Sequence, residues 1–217
     1  MKILFLVAHP DDEAYGPAGT IAKLSKDNDV IVISLCNGAR PGSEHVKESR
    51  SSAFIKSCTL LGARWVMYDN DDCSLEYRNT LAQVEMIINY HKPDIVYTHN
   101  ISDIHKDHSL LADCCLVACR PKPGSLVKEL YFFEIPSSTD WAFGQIEPRF
   151  NPNRFIDITE YIAKKKEAMH LYTTEIYKWP DARSIKAIEL SAENRGRQVG
   201  AEYAEAFQLV FSHDRIL

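Results

Sequence analysis

The 217-residue sequence contains no apolar run approaching the ~20 residues that cross a bilayer, so no membrane span is expected. It has no basic excess either. Its 25 Lys and Arg stand against 30 Asp and Glu, a formal net charge of -5, which argues against a nucleic-acid partner. The short basic run Lys164-Lys165-Lys166 is followed by Glu167 and reads as a solvated helix face. The six cysteines include no CxxC pair, and their spacings do not form a disulfide framework. Reduced thiols in a cytoplasmic protein are therefore expected. Cys115 and Cys119, at i,i+4, read as small buried core residues rather than as a metal pair. Met1 to Ala8 is apolar, but it is short, lacks a small-residue cleavage site and runs straight into charged residues. It reads as a strand, not a secretory signal. No GxGxxG follows that strand, and the loop there is acidic, which disfavours a dinucleotide pyrophosphate.

What is present is ordinary for a protein with a real core: 45% hydrophobic and 25% charged residues. Short apolar runs alternate with helical patterns, the signature of βαβ units and a parallel sheet. Strands are expected at Ile3–Ala8, Val30–Leu35, Arg64–Tyr68, Asp94–Thr98 and Glu129–Ile135. Helices are expected at Ala18–Lys26, Val46–Leu61 with Gly62 as its C-cap, Asn79–His91 and Ser109–Cys119. Past Pro121 the pattern loosens, and helices are expected at Ile158–Tyr177 and Ala187–Phe207. The expectation is one α/β domain over residues 1–217: a Rossmann-like, mostly parallel sheet with flanking helices over 1–120. Residues 121–217 add a C-terminal helical and strand elaboration.

Two clusters carry chemistry. His9-Pro10-Asp11-Asp12-Glu13 follows the first strand, and His105-Lys106-Asp107-His108 follows the fourth at the entrance to a helix. In open parallel sheets ligands bind beyond the carboxyl ends of strands, so both clusters fall on one edge. Acids complementing a helix dipole account for Asp12 or Glu13 but do not require His9. HxDH alone reads equally as surface loop. Together the clusters supply enough nitrogen and oxygen donors for a catalytic metal, which uses three protein ligands and leaves a position for water.

AHPDDE after the first strand, with HKDH after a later one, resembles the PIG-L/LmbE-like family of metal-dependent N-deacetylases. The stretches Ser137–Trp141, Asn151–Asp157, Arg195-Gly196 and Tyr203–Phe207 are similar to its bacterial branch. The resemblance implies removal of the N-acetyl group from an N-acetylglucosamine-type amino sugar or its conjugate, with metal-bound water as nucleophile. It implies that His9, Asp12 and His108 hold the metal and that Asp11 is the general base. It further implies that His105 supports the oxyanion or the leaving amine, that Asp107 orients His105, and that Glu13 supports the site from behind. Zn2+ suits the donor set, with Fe2+ or another divalent first-row ion as the alternative.

Arg50 and Arg183 are candidate substrate contacts, Arg50 equally a solvent-facing helix residue. Bacterial relatives often carry a Pro-His-Pro-Arg-Ser-like stretch. Here it is Pro180-Asp181-Ala182-Arg183-Ser184, so the His is missing and any contact it makes is in doubt. Trp141, Trp179, Tyr172 and Tyr177 read as sugar-stacking or core residues. The expected partner is a small amino-sugar conjugate, with a homo-oligomer left open. The alternative activity is a metal-dependent amidase or deaminase acting on a non-sugar substrate.

Overall fold

A computed structural model of the chain describes residues 1–143, 145 and 147–214. Among the described residues, seven strands form one sheet: β1 (Lys2–Val7), β2 (Asp29–Cys36), β3 (Arg64–Asn70), β4 (Ile95–His99), β5 (Glu129–Phe133), β6 (Arg154–Asp157) and β7 (Ala204–Ser212). Their order is β3-β2-β1-β4-β5-β7-β6. The first five strands are parallel, and β7 runs antiparallel to both β5 and β6.

Strand β1 shows why the sheet is covered on both faces. It is nearly all apolar, and its side chains alternate between two cores. Ile3, Phe5 and Val7 join a core that also takes Ile21 of α2 (Ala18–Leu24), Phe54 of α3 (Glu44–Leu61) and Met169 of α6 (Ile162–His170). Leu4 and Leu6 pack on the other face with Ile87 of α4 (Tyr77–His91) and Leu111 of α5 (Lys106–Ala118). Cys115 and Cys119 lie in that second core, as expected for small apolar side chains.

From β1 the chain winds outward to β3, then returns to place β4 on the opposite side of β1. The strand order reverses there, so the loops after β1 and β4 diverge and open a crevice at their carboxyl ends. Both chemical clusters stand in that crevice.

The C-terminal expectations need correction. Helix α6 occupies only Ile162–His170 of the expected 158–177. The helix expected over 187–207 is α7 (Ile185–Gly196) followed by strand β7. A Cβ on Gly196 would lie 2.6 Å from the Ala201 carbonyl oxygen and 2.7 Å from that of Glu202, so the chain doubles back tightly on this glycine. Ala204 to Phe207 are buried, and a short apolar run buried on both sides carries no period that separates strand from helix. Strand β6 was missed for the same lack of length. Lys165 is likewise not on a solvated face: it is 3% exposed and its ammonium is 2.7 Å from Glu205 Oε1.

Candidate metal centre

Beyond β1 the chain turns sharply into α1 (Asp12–Tyr15), with Asp11 at φ 117°, a left-handed conformation unusual for a non-glycine residue. Such strain persists only where the surroundings over-determine it. The Asp11 N–H donates to Glu13 Oε2 at 3.1 Å, and the Asp11 carbonyl accepts from Ala14 and Tyr15 N–H groups at 2.9 and 3.0 Å. Glu13 is fully buried, and its other oxygen accepts the Tyr172 hydroxyl at 2.6 Å. Burial pushes the Glu13 carboxyl up to about 7. Glu13 thus stands behind the turn, and Tyr172 is a core residue that anchors it.

The second arm begins at His99, the last residue of β4. His105 caps α5, its Nδ1 accepting the Asp107 N–H at 3.3 Å, which places Asp107 and His108 in the first helical turn. Here the helix starts three residues earlier than its apolar pattern suggests.

The two arms bring three donors face to face. His9 Nδ1 is 3.2 Å from His108 Nε2, His108 Nε2 is 3.3 Å from Asp12 Oδ1, and His9 Nδ1 is 3.5 Å from Asp12 Oδ2. Ligands about 2.0–2.1 Å from a tetrahedral ion are separated by roughly 3.3–3.4 Å, so these residues fit a small divalent cation. His9, Asp12 and His108 are each 3–4% exposed, so the donors are largely withdrawn from water.

A carboxylate faces the far nitrogen of each ring. Asp107 Oδ2 lies 3.0 Å from His9 Nε2, and Asp103 Oδ2 lies 3.2 Å from His108 Nδ1. A carboxylate on one imidazole nitrogen keeps the proton there and leaves the other nitrogen free to ligate. Burial alone would lower the proton affinity of both rings. For His9, Asp107, Asp12 and Asp72 outweigh it and hold the pKa well above the usual range; for His108, Asp12 and Asp103 raise it to about 9.

Asp107 therefore faces His9, not His105 as the sequence reading places it. The carboxylate facing the His105 ring is that of Asp72, whose Oδ1 lies 3.5 Å from His105 Nε2 and 3.2 Å from His9 Nε2. Hydrogen bonding to His105 and His9 holds the Asp72 carboxyl far below its ordinary range.

Asp11 sits in a separate ionic cluster at the cleft wall. Its Oδ2 accepts from Arg183 Nη2 at 2.6 Å and lies 3.7 Å from Arg50 Nη2. Glu175 joins both arginines, 2.5 Å from Arg50 Nη2 and 3.1 Å from Arg183 Nη1. Burial pushes the Asp11 carboxyl up; the two arginines oppose this without cancelling it. Arg50 is thus not a solvent-facing helix residue.

His9, Asp11, Asp12, Arg50, Asp72, His105, His108, Arg183 and Trp141 line one cleft of about 180 Å³, with Ser137 and Ser138 on the facing loop. Trp179 and Tyr177 are half exposed and do not line it. Sequence reading passed over Asp72, His99, Asp103 and Glu175. Asp72, just past the end of β3, was legible by the same strand-end rule that found His9. His99 ends β4, where its Nε2 accepts the Ala8 N–H at 2.9 Å and stands 3.2 Å from Asp12 Oδ2. Burial and the neighbouring His108 push the His99 pKa down to about 4, so it stays neutral.

A family model described as GlcNAc-PI de-N-acetylase (PIG-L) matches residues 4–119, just over half of the chain. An uncharacterized deacetylase of Escherichia coli K12, YaiS, is 26% identical over 145 residues, covering 63% of this chain and 75% of that protein. The N,N'-diacetylchitobiose deacetylase of Pyrococcus horikoshii superposes with a TM-score of 0.76 at 21% identity, covering 96% of this chain and 83% of that one. The 4-carboxy-2-hydroxymuconate hydratase GalB of Pseudomonas putida KT2440 superposes with a TM-score of 0.75 at 24% identity, covering 100% and 99%. Among the described residues, no helix is long and apolar enough to cross a membrane.

Proposed function

The chain belongs to the PIG-L (GlcNAc-PI de-N-acetylase) family, and on that premise we propose that it is a metal-dependent N-deacetylase. Its substrate is an N-acetylglucosamine-type amino sugar or a small-molecule conjugate of one. The observation that carries this reading is the triangle of His9 Nδ1, Asp12 and His108 Nε2 at 3.2–3.5 Å.

A divalent ion held by those residues would lower the pKa of a coordinated water toward about 7 and polarise the acetyl carbonyl. Zinc suits the two imidazoles and one carboxylate, and Fe2+ or another first-row ion fits the same donors. Asp11 is the general base: it takes a proton from the attacking water and returns it to the departing amine. Burial favours this task, since it raises the basicity of the carboxylate while Arg183 fixes its position. His105 offers its Nε2–H to the oxygen on which negative charge develops, with the Asp107 N–H at Nδ1 favouring that tautomer. Asp107 keeps His9 in the tautomer that ligates, and Asp103 faces Nδ1 of His108. Arg50 and Arg183, at the cleft wall, contact the sugar hydroxyls, and Trp141 borders the same opening. The six cysteines are all free, which suits a reducing cytoplasm.

The test is acetate release from a panel of N-acetylglucosaminyl compounds, with the protein stripped of metal and then reloaded. Acetate released only by the reloaded protein is the expected result; none from any sugar amide would overturn the reading. A second reading, an amidase or deaminase on a non-sugar substrate, keeps the same centre. Ammonia released from non-sugar amides or amines in the same panel, without acetate, would favour it.

A further inference from the structure

A second set of donors stands on the solvent side of the first. Asp72 and Cys73, in the loop between β3 and α4, meet His105 at the head of α5. Cys73 Sγ is 3.3 Å from Asp72 Oδ1 and 4.0 Å from His105 Nε2, and His105 Nε2 is 3.5 Å from Asp72 Oδ1. A tetrahedral ion about 2.3 Å from sulfur and about 2.0–2.1 Å from nitrogen and oxygen needs separations of roughly 3.3–3.6 Å. The three donors already stand close to that spacing. Cys73 is exposed, while the other five cysteines are buried.

We propose that Asp72, Cys73 and His105 form a second, thiophilic metal site at the mouth of the cleft, whose occupation by zinc or a similar soft ion silences the first centre. One sulfur, one nitrogen and one oxygen donor select zinc, cadmium or cobalt over magnesium or calcium, which prefer all-oxygen sets. Both segments are anchored. The Cys73 N–H donates to Asp107 Oδ2 at 2.8 Å, and the Asp72 N–H donates to the Ala39 carbonyl at 2.8 Å.

Binding releases one proton to solvent, from the thiol, as the S–metal bond forms. In His105 the ring proton moves through solvent from Nε2 to Nδ1, and the long capping bond from Asp107 N–H is given up. The first site gathers three buried donors at 3.2–3.5 Å, whereas the second includes an exposed thiol 4.0 Å from its imidazole, so the second fills after the first. Once filled, it withdraws His105 from the acetyl oxygen and Asp72 from His9. The loss of turnover rests on the hydrolase reading; the binding rests on these three residues.

The experiment is a titration of metal-free protein with Co2+, followed by absorption and by equilibrium dialysis, for the wild type, Cys73→Ser and wild type alkylated with iodoacetamide. The wild type is expected to bind two ions, the second with a near-ultraviolet thiolate-to-cobalt band. Cys73→Ser and the alkylated protein are expected to bind one ion without the band. In the deacetylation assay, Cys73→Ser is expected to raise the zinc needed for half-inhibition by about tenfold or more. A single ion without a thiolate band in the wild type, or a band that survives in Cys73→Ser, overturns the site. Should no sugar amide be cleaved, the hydrolase reading fails while stoichiometry and band still judge the site.

Discussion

The Asp107 carboxylate reaches across to His9, placing Oδ2 3.0 Å from Nε2, and leaves its near neighbour His105 to Asp72. Asp107 and His9 come from different arms of the crevice, so this contact ties the two arms together as well as fixing the tautomer of His9.

Asp107→Asn should therefore act through metal affinity. A loss of about 10–100-fold is expected, read by competition with a chelator, and activity should recover when metal is supplied in excess. Unchanged metal affinity with activity that excess metal does not restore would mean that Asp107 serves His105 instead.

Asp11→Asn should separate base from ligand. Asn tolerates the left-handed backbone that Asp11 adopts at φ 117°. The variant should keep its bound metal, measured by elemental analysis, while kcat falls by about 10²–10⁴-fold. Loss of metal together with activity would place Asp11 among the ligands.

The sheet and the two metal-bearing turns were legible because β1, β2 and β4 are apolar runs with chemistry at their carboxyl ends. The partners of those residues were not. Asp103 faces His108 Nδ1 at 3.2 Å while accepting from Ser138 Oγ and Thr139 Oγ1 at 2.7 and 2.9 Å, a link to a loop 35 residues away that no local pattern records. Glu175 binds Arg50 across 125 residues, for the same reason. Lys165 was misplaced because its burial is set by Glu205, a carboxylate 40 residues further on.

That buried pair makes a stability prediction. Glu205 also accepts the Gly19 and Thr20 N–H groups at 2.9 and 2.7 Å, near the start of α2. Lys165→Met leaves the carboxylate buried without its cation and should destabilise the fold by about 3–5 kcal/mol in urea denaturation. A change below about 1 kcal/mol, the range of exposed pairs, would contradict a buried pairing.

Gly196→Ala tests the corrected C-terminus. The added Cβ meets the carbonyl oxygens of Ala201 and Glu202 at 2.6 and 2.7 Å, backbone atoms that cannot rotate away. A loss of about 1–3 kcal/mol is expected by the same denaturation measurement, with activity per folded molecule retained. Equal or greater stability would show that the α7–β7 reversal does not need the glycine.

The most direct test of the metal centre is anomalous difference density in a crystal loaded with one equivalent of zinc. A single peak is expected about 2.0–2.2 Å from His9 Nδ1, an Asp12 carboxylate oxygen and His108 Nε2. A peak held instead by His99 or His105, with His9 outside bonding distance, would contradict it.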